Sequence, residues 1–220
     1  MVSDKAGVAW IIGGGSGIGA AVARQLASEG WTVAISGRRP ERLAAIAQTH
    51  SAIVPYPLDV TDEAAIAVAV ERVVADLGRI DLFLFGAAAW SPDKTSDYDS
   101  KRFTEVVDTN LVGFVRFLVP LVGQMQRQGG GQIAGIASVA GYFGLPRSAA
   151  YSASKAALIT LLETLRTELA ASNIAVRMIA PGFVKSEMTA ANDFPMPFLM
   201  ETDAAARRIV DGLLRSSRFE

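Results

Sequence analysis

Tyr151 and Lys155, in the stretch YSASK, are the residues best suited to move a proton. On a helix, residues four apart share a face. An ammonium beside a phenol favours the phenolate and lowers the phenol pKa from its free value of about 10. A phenol tuned in this way gives a proton to a carbonyl oxygen, or takes one from an alcohol, near neutral pH. Ser138 ends an apolar run thirteen residues upstream of Tyr151 and can hold the same oxygen by a hydrogen bond.

Other chemistries find little support. The chain has no cysteine, which excludes disulfides, thiolate metal sites and a cysteine nucleophile. Its single histidine, His50, argues against a Ser-His-Asp triad or a histidine-rich metal site, so no metal is expected. The net charge is -1 with no long run of one sign, and nothing points to nucleic acid or an anionic membrane. The apolar run near the start is too short for a signal peptide or a membrane span. Together these fit a cytoplasmic protein.

The elements that must position the pair can be read from hydrophobic patterning. Short, nearly continuous apolar runs at 8–12, 32–36, 53–56, 82–85, 133–137 and 176–179 read as strands covered on both faces. Helical patterns lie between them at 18–29, 41–48, 63–77, 100–127 and 152–171. Pro40 suits the first turn of the second helix, and Thr61 or Asp62 can cap the third. The polar run 91–101 reads as a loop. The alternation implies an α/β fold, a doubly wound parallel sheet in one domain over residues 1–220, with helices on both faces.

Between the first strand and first helix runs IIGGGSGIGA. Gly13, Gly15, Gly17 and Gly19 permit a tight turn and close approach of a diphosphate, with Ser16 and Ile18 between them. The helix N-terminus offers free N–H groups to that anion. After the second strand the sequence reads Ser36-Gly37-Arg38-Arg39, with no acid to bond ribose hydroxyls. A guanidinium at Arg38 can take a 2′-phosphate, which favours NADP(H) and leaves NAD(H) open.

With these motifs the sequence resembles the short-chain dehydrogenase/reductase family, of the single-domain type. The resemblance implies a substrate-orienting role for Ser138, acid/base work for Tyr151, and nicotinamide-ribose binding for Lys155. Asn110, in DTNLVG, resembles the asparagine that kinks its helix and supports a proton-relay water. Asp59, with Val60 beside it, resembles the acid that contacts the adenine amino group. Pro181, Gly182, Val184 and Ser186 resemble the segment that holds the nicotinamide carboxamide. The long helices at 100–127 and 152–171 resemble those that pair across a two-fold axis in the family, so the resemblance implies a homodimer or homotetramer.

Three features depart from the family pattern. Ile12 stands where the glycine motif usually begins with threonine. Phe85-Gly86-Ala87-Ala88 replaces Asn-Asn-Ala-Gly, so cofactor contacts at Gly86 and Ala87 are expected from backbone alone. Family members usually continue into a seventh strand, so the sequence reads as six or seven. Trp90, Tyr142, Phe143, Leu145, Phe183, Met188 and the stretch 194–200 are apolar. They suggest an apolar ketone, aldehyde or alcohol under a lid, although 194–200 could instead pack on the core or on another subunit. The leading reading is an NADP(H)-dependent oxidoreductase. Its rivals are a dinucleotide-binding regulatory or scaffold protein and an isomerase or dehydratase on the same frame.

Overall fold

The computed structural model describes residues 6–92, 98–190, 192 and 194–220. The centre of the loop read at 91–101 therefore lies outside the described residues, as do the first five residues of the N-terminal run.

Six parallel strands form one sheet: β1 Val8–Ile12, β2 Thr32–Ser36, β3 Ile53–Pro55, β4 Leu82–Phe85, β5 Gly131–Ile136 and β6 Ile174–Ile179. Their order is β3-β2-β1-β4-β5-β6. The chain starts in the middle, winds one way through β2 and β3, then crosses back to β4. That reversal leaves a crevice beyond the C-terminal ends of β1 and β4, where open α/β sheets bind ligands.

Strand side chains alternate between two faces. Trp10, Ile12, Phe83, Phe85 and Ile133 enter one core, while Ala9, Ile11, Leu82, Leu84 and Ala134 enter the other. The first core is closed by α3 Glu63–Leu77, α5 Gly113–Arg127 and α6 Ala149–Glu168, through Ile66, Phe117 and Leu162 among others. The second is closed by α1 Gly17–Ser28, α2 Pro40–Ala47 and α8 Thr202–Arg215, through Leu26, Leu43 and Val210. Two short helices, α4 Ser100–Val107 and α7 Glu187–Ala190, lie near the crevice end.

The departures from the family pattern are filled by packing. Ile12 and Phe85 are fully buried register partners on β1 and β4. Phe85 meets Phe114 edge-on at 5.4 Å, and Trp10 meets Phe83 and Phe117 edge-on at 5.7 and 5.5 Å. Such pairs add about 1 kcal/mol each beyond burial. One polar tie remains between β1 and β2, where Trp10 Nε1 donates to Ser36 Oγ at 2.9 Å.

Several boundaries differ from expectation for local reasons. The predicted helix 100–127 is interrupted by a π-helical turn at Asp108–Val112. α6 begins at Ala149 rather than 152, after Arg147 turns the chain with φ of 61°. β5 starts at Gly131, because that residue pairs with Ile174. Asp62, not Thr61, caps α3 by accepting from Ala65 N at 3.0 Å. No seventh strand forms among the described residues. The tail instead meets β6 through Met178 N to Phe219 O at 2.7 Å and Arg177 Nη2 to Ser216 O at 3.3 Å, with Phe219 packed on the first core.

Candidate active site

The glycine loop is held shut by its own backbone. Gly13 takes φ of 86°, and Gly13 and Gly14 N–H groups both donate to Ser36 O. A Cβ on Gly19 would lie 2.3 Å from Gly13 O, so only glycine lets α1 start this close to the turn. Ser16 precedes α1 with an extended backbone and makes no side-chain cap. The amides of the first turn therefore face the crevice without a helical partner.

The crevice is a cleft of about 530 Å³, within the range of small-molecule sites. Gly13, Gly15, Ser16, Gly17, Ile18 and Gly19 form one end. Val60, Gly86 and Ala87 form a wall, and Ser138, Tyr151 and Lys155 stand opposite with Pro181, Gly182, Val184 and Ser186. Arg38 lies exposed at the rim.

Two expected residues do not line the cleft. Asp59 Oδ1 accepts from Thr61 N at 3.0 Å and Thr61 Oγ1 at 2.8 Å, so it closes a local turn while Leu58 and Val60 line the wall. Asn110 is fully buried in the π-helical turn. Its Oδ1 accepts from Ala89 N at 2.6 Å, and its Nδ2 donates to Ala89 O and Ser154 Oγ, both at 3.0 Å. Asn110 thus ties the chain after β4 to α6. Ser154, inside YSASK, completes the link by donating to Tyr151 O at 2.7 Å.

Tyr151 and Lys155 meet as the motif predicts, with Nζ 5.6 Å from the phenol ring centre. The expected electrostatics are corrected. Burial pushes the Tyr151 phenol above its usual value, and the hydrogen bond with Ser138 opposes this. Burial outweighs the lowering expected from Lys155, whose Nζ donates to Ile136 O at 2.7 Å and whose own pKa burial brings from 10.5 to about 8. Desolvation disfavours charge on both groups, which outweighs their mutual attraction. The bond to Ile136 O uses one of three ammonium donors, while Lys155 lines the cleft.

Residues beyond the expected set also stand here. Arg39 and Arg42 line the cleft, and both reach Glu187 of α7. Their spacing of three on one helix start was a readable signal. Thr189 Oγ1 accepts from Ser186 N at 2.8 Å, and Thr189 N donates to Ser186 Oγ at 3.3 Å. Ser186 is therefore already bonded within its own turn.

A cradle of close-packed glycines, free helix amides and a buried ammonium suits a dinucleotide. The profile of the short chain dehydrogenase family matches residues 7–194. The chain belongs to the short-chain dehydrogenase/reductase family. An uncharacterized oxidoreductase of Myxococcus xanthus is 38% identical over 211 residues, 94% of this chain and 83% of the relative. One from Staphylococcus epidermidis is 31% identical over 220 residues, 99% of this chain and 95% of the relative. Among solved structures, a short-chain type dehydrogenase/reductase from Mycobacterium ulcerans superposes with a TM-score of 0.86 at 30% identity. The superposition covers 97% of this chain and 84% of that one. An actinorhodin polyketide ketoreductase solved with NADPH also gives 0.86, at 26% identity over 96% and 91% of the two chains. As a short-chain dehydrogenase/reductase, the protein is an oxidoreductase of small molecules, of a family that binds NAD(P)(H).

Proposed function

We propose that the protein is an NADP(H)-dependent oxidoreductase that interconverts an apolar carbonyl compound and its alcohol, with Tyr151 as acid/base. The observation that carries this is the opening of Ser138, Tyr151 and Lys155 into the same cleft as the glycine loop. When bound, the nicotinamide supplies or accepts the hydride at the substrate carbon.

In reduction, Tyr151 Oη donates its proton to the carbonyl oxygen, and in oxidation it takes one from the alcohol. A phenol kept protonated by burial is matched to the acid role at neutral pH. Ser138, already bonded to that phenol, is placed to orient the same oxygen. Lys155, which lines the cleft, bonds the nicotinamide ribose, and its charge steadies the phenolate as the proton leaves. Gly13, Gly15, Gly17 and the first amides of α1 hold the diphosphate, and Gly86 and Ala87 offer backbone only. Val184 and Ser186 are placed for the carboxamide. Asn110 is a positioning residue, acting through Ala89 and Ser154.

NADP(H) is favoured over NAD(H) by the missing acid after β2 and by Arg38, Arg39 and Arg42 around the same end of the cleft. The NADPH in the actinorhodin ketoreductase agrees with this choice. Of the apolar residues expected around the nicotinamide, Met188 lines the cleft and supports an apolar substrate, whereas Phe183 lines a second pocket with Phe219 and the Tyr142 hydroxyl bonds Glu220. Val115 and Val119 point outward from α5 while Phe117 and Leu121 are buried, a face suited to a homodimer or homotetramer. A cytoplasmic setting fits the cysteine-free sequence.

The test is oxidation of NADPH with a panel of apolar ketones, using Tyr151→Phe as control. Turnover should fall by about 10²–10⁴-fold in the variant while NADPH binding stays within threefold. Wild-type turnover in Tyr151→Phe refutes the acid/base assignment.

A further inference from the structure

One carboxylate spans the mouth of the cleft. Glu187, at the start of α7, accepts from Arg42 Nη1 at 2.7 Å and Arg39 Nη2 at 3.2 Å. Arg39 Nη2 also lies 3.4 Å from Ser16 Oγ in the glycine loop. Arg39 and Glu187 are 148 residues apart, so the bond ties opposite rims of the cleft. All three side chains are about half exposed, at 48%, 48% and 51%. The Arg39 hydrogen bond and the Arg42 charge hold the Glu187 carboxyl below its ordinary range, so it is an anion at neutral pH.

The two guanidiniums are thereby half neutralised by a group of the protein itself. A ribose 2′-phosphate carries more than one negative charge and three acceptor oxygens, and can replace a single carboxylate. Ribose hydroxyls carry no charge and cannot.

We propose that Glu187 is a built-in competitor for the cofactor's 2′-phosphate, occupying Arg39 and Arg42 until a phosphate monoester displaces it and so tempering the preference for NADP(H). This rests on the NADP(H) reading. Beyond the bridge lies a side groove where Arg24 and Lys185 are paired with Asp203 and Glu201, so the released carboxylate turns outward to solvent. NADH leaves the bridge in place. Solvent-exposed ion pairs each contribute modestly, so removing the competitor is worth about three- to tenfold in affinity.

The experiment is fluorescence titration of NADPH and NADH into wild type, Glu187→Gln, Arg42→Ala and the double variant. Glu187→Gln should lower the NADPH Kd by about three- to tenfold and leave the NADH Kd within twofold. In the Arg42→Ala background the same substitution should lose most of its effect, because the pair is coupled. An unchanged or raised NADPH Kd in Glu187→Gln overturns the proposal. So does an equal shift for both nucleotides, which would make Glu187 a clasp over the shared diphosphate. Failure of the NADP(H) reading looks different: wild type would then bind NADPH no tighter than NADH, with Arg39→Ala and Arg42→Ala indifferent to the phosphate.

Discussion

Replacing Lys155 by methionine should remove one contribution to the pH dependence of folding, over a defined window. The lysine is fully buried and its pKa falls from 10.5 to about 8 because desolvation disfavours its charge. The folded pKa lies below the unfolded one, so between them the unfolded chain binds more protons. Stability therefore rises with pH through that interval. The cost of keeping the ammonium charged in the fold is about 3 kcal/mol at pH 7 and about 1 kcal/mol at pH 9.5. Wild type should thus gain about 2 kcal/mol relative to Lys155→Met between those two pH values. Urea unfolding of both proteins without nucleotide measures it. The bond to Ile136 O is lost in the variant at either pH and cancels in the difference. The phenols of Tyr56 and Tyr142, raised to about 12, and of Tyr151, also raised, are common to both proteins. A difference constant to within about 0.5 kcal/mol, near the extrapolation error, would refute the desolvation argument.

Three further outcomes are expected. Gly19→Ala should weaken NADPH binding at least about tenfold and destabilise by about 1–3 kcal/mol, since its Cβ would lie 2.3 Å from Gly13 O; titration and urea unfolding check both. Asn110→Ala should cost about 3 kcal/mol in urea unfolding, because Ala89 N and O lose their partner in a buried setting. Arg38→Ala should raise the NADPH Kd about tenfold with NADH within twofold, and equal effects on both would remove its phosphate role.

The sheet was legible because β1, β2 and β4 are continuous apolar runs with buried faces on both sides. The motif residues were legible because a turn, a helix start and a one-turn spacing are local properties. What escaped was decided at long range. Gly131 resembles a turn residue until Ile174 pairs with it. The sign of the Tyr151 shift depends on how much protein surrounds the phenol, which a four-residue spacing does not report. Glu187 meets Arg39 across 148 positions, with no pattern to announce it. Asp59 resembles a ligand residue, yet Thr61 two positions on takes its Oδ1. The apolar stretch 194–200 divides: Phe194 packs on Phe183, whereas Phe198 is 98% exposed.

The π-helical turn at Asp108–Val112 also fixes how much chain the fold tolerates there. Deleting one residue from it would let α4 and α5 fuse into a single regular rod. The π-helical turn absorbs its extra residue without turning the helix that follows, so Phe114 and Phe117 would keep their seats in the core. What changes is the turn itself, where Asn110 reaches Ala89 and Ser154. Shortening by one residue should therefore spare the core and loosen the cleft wall.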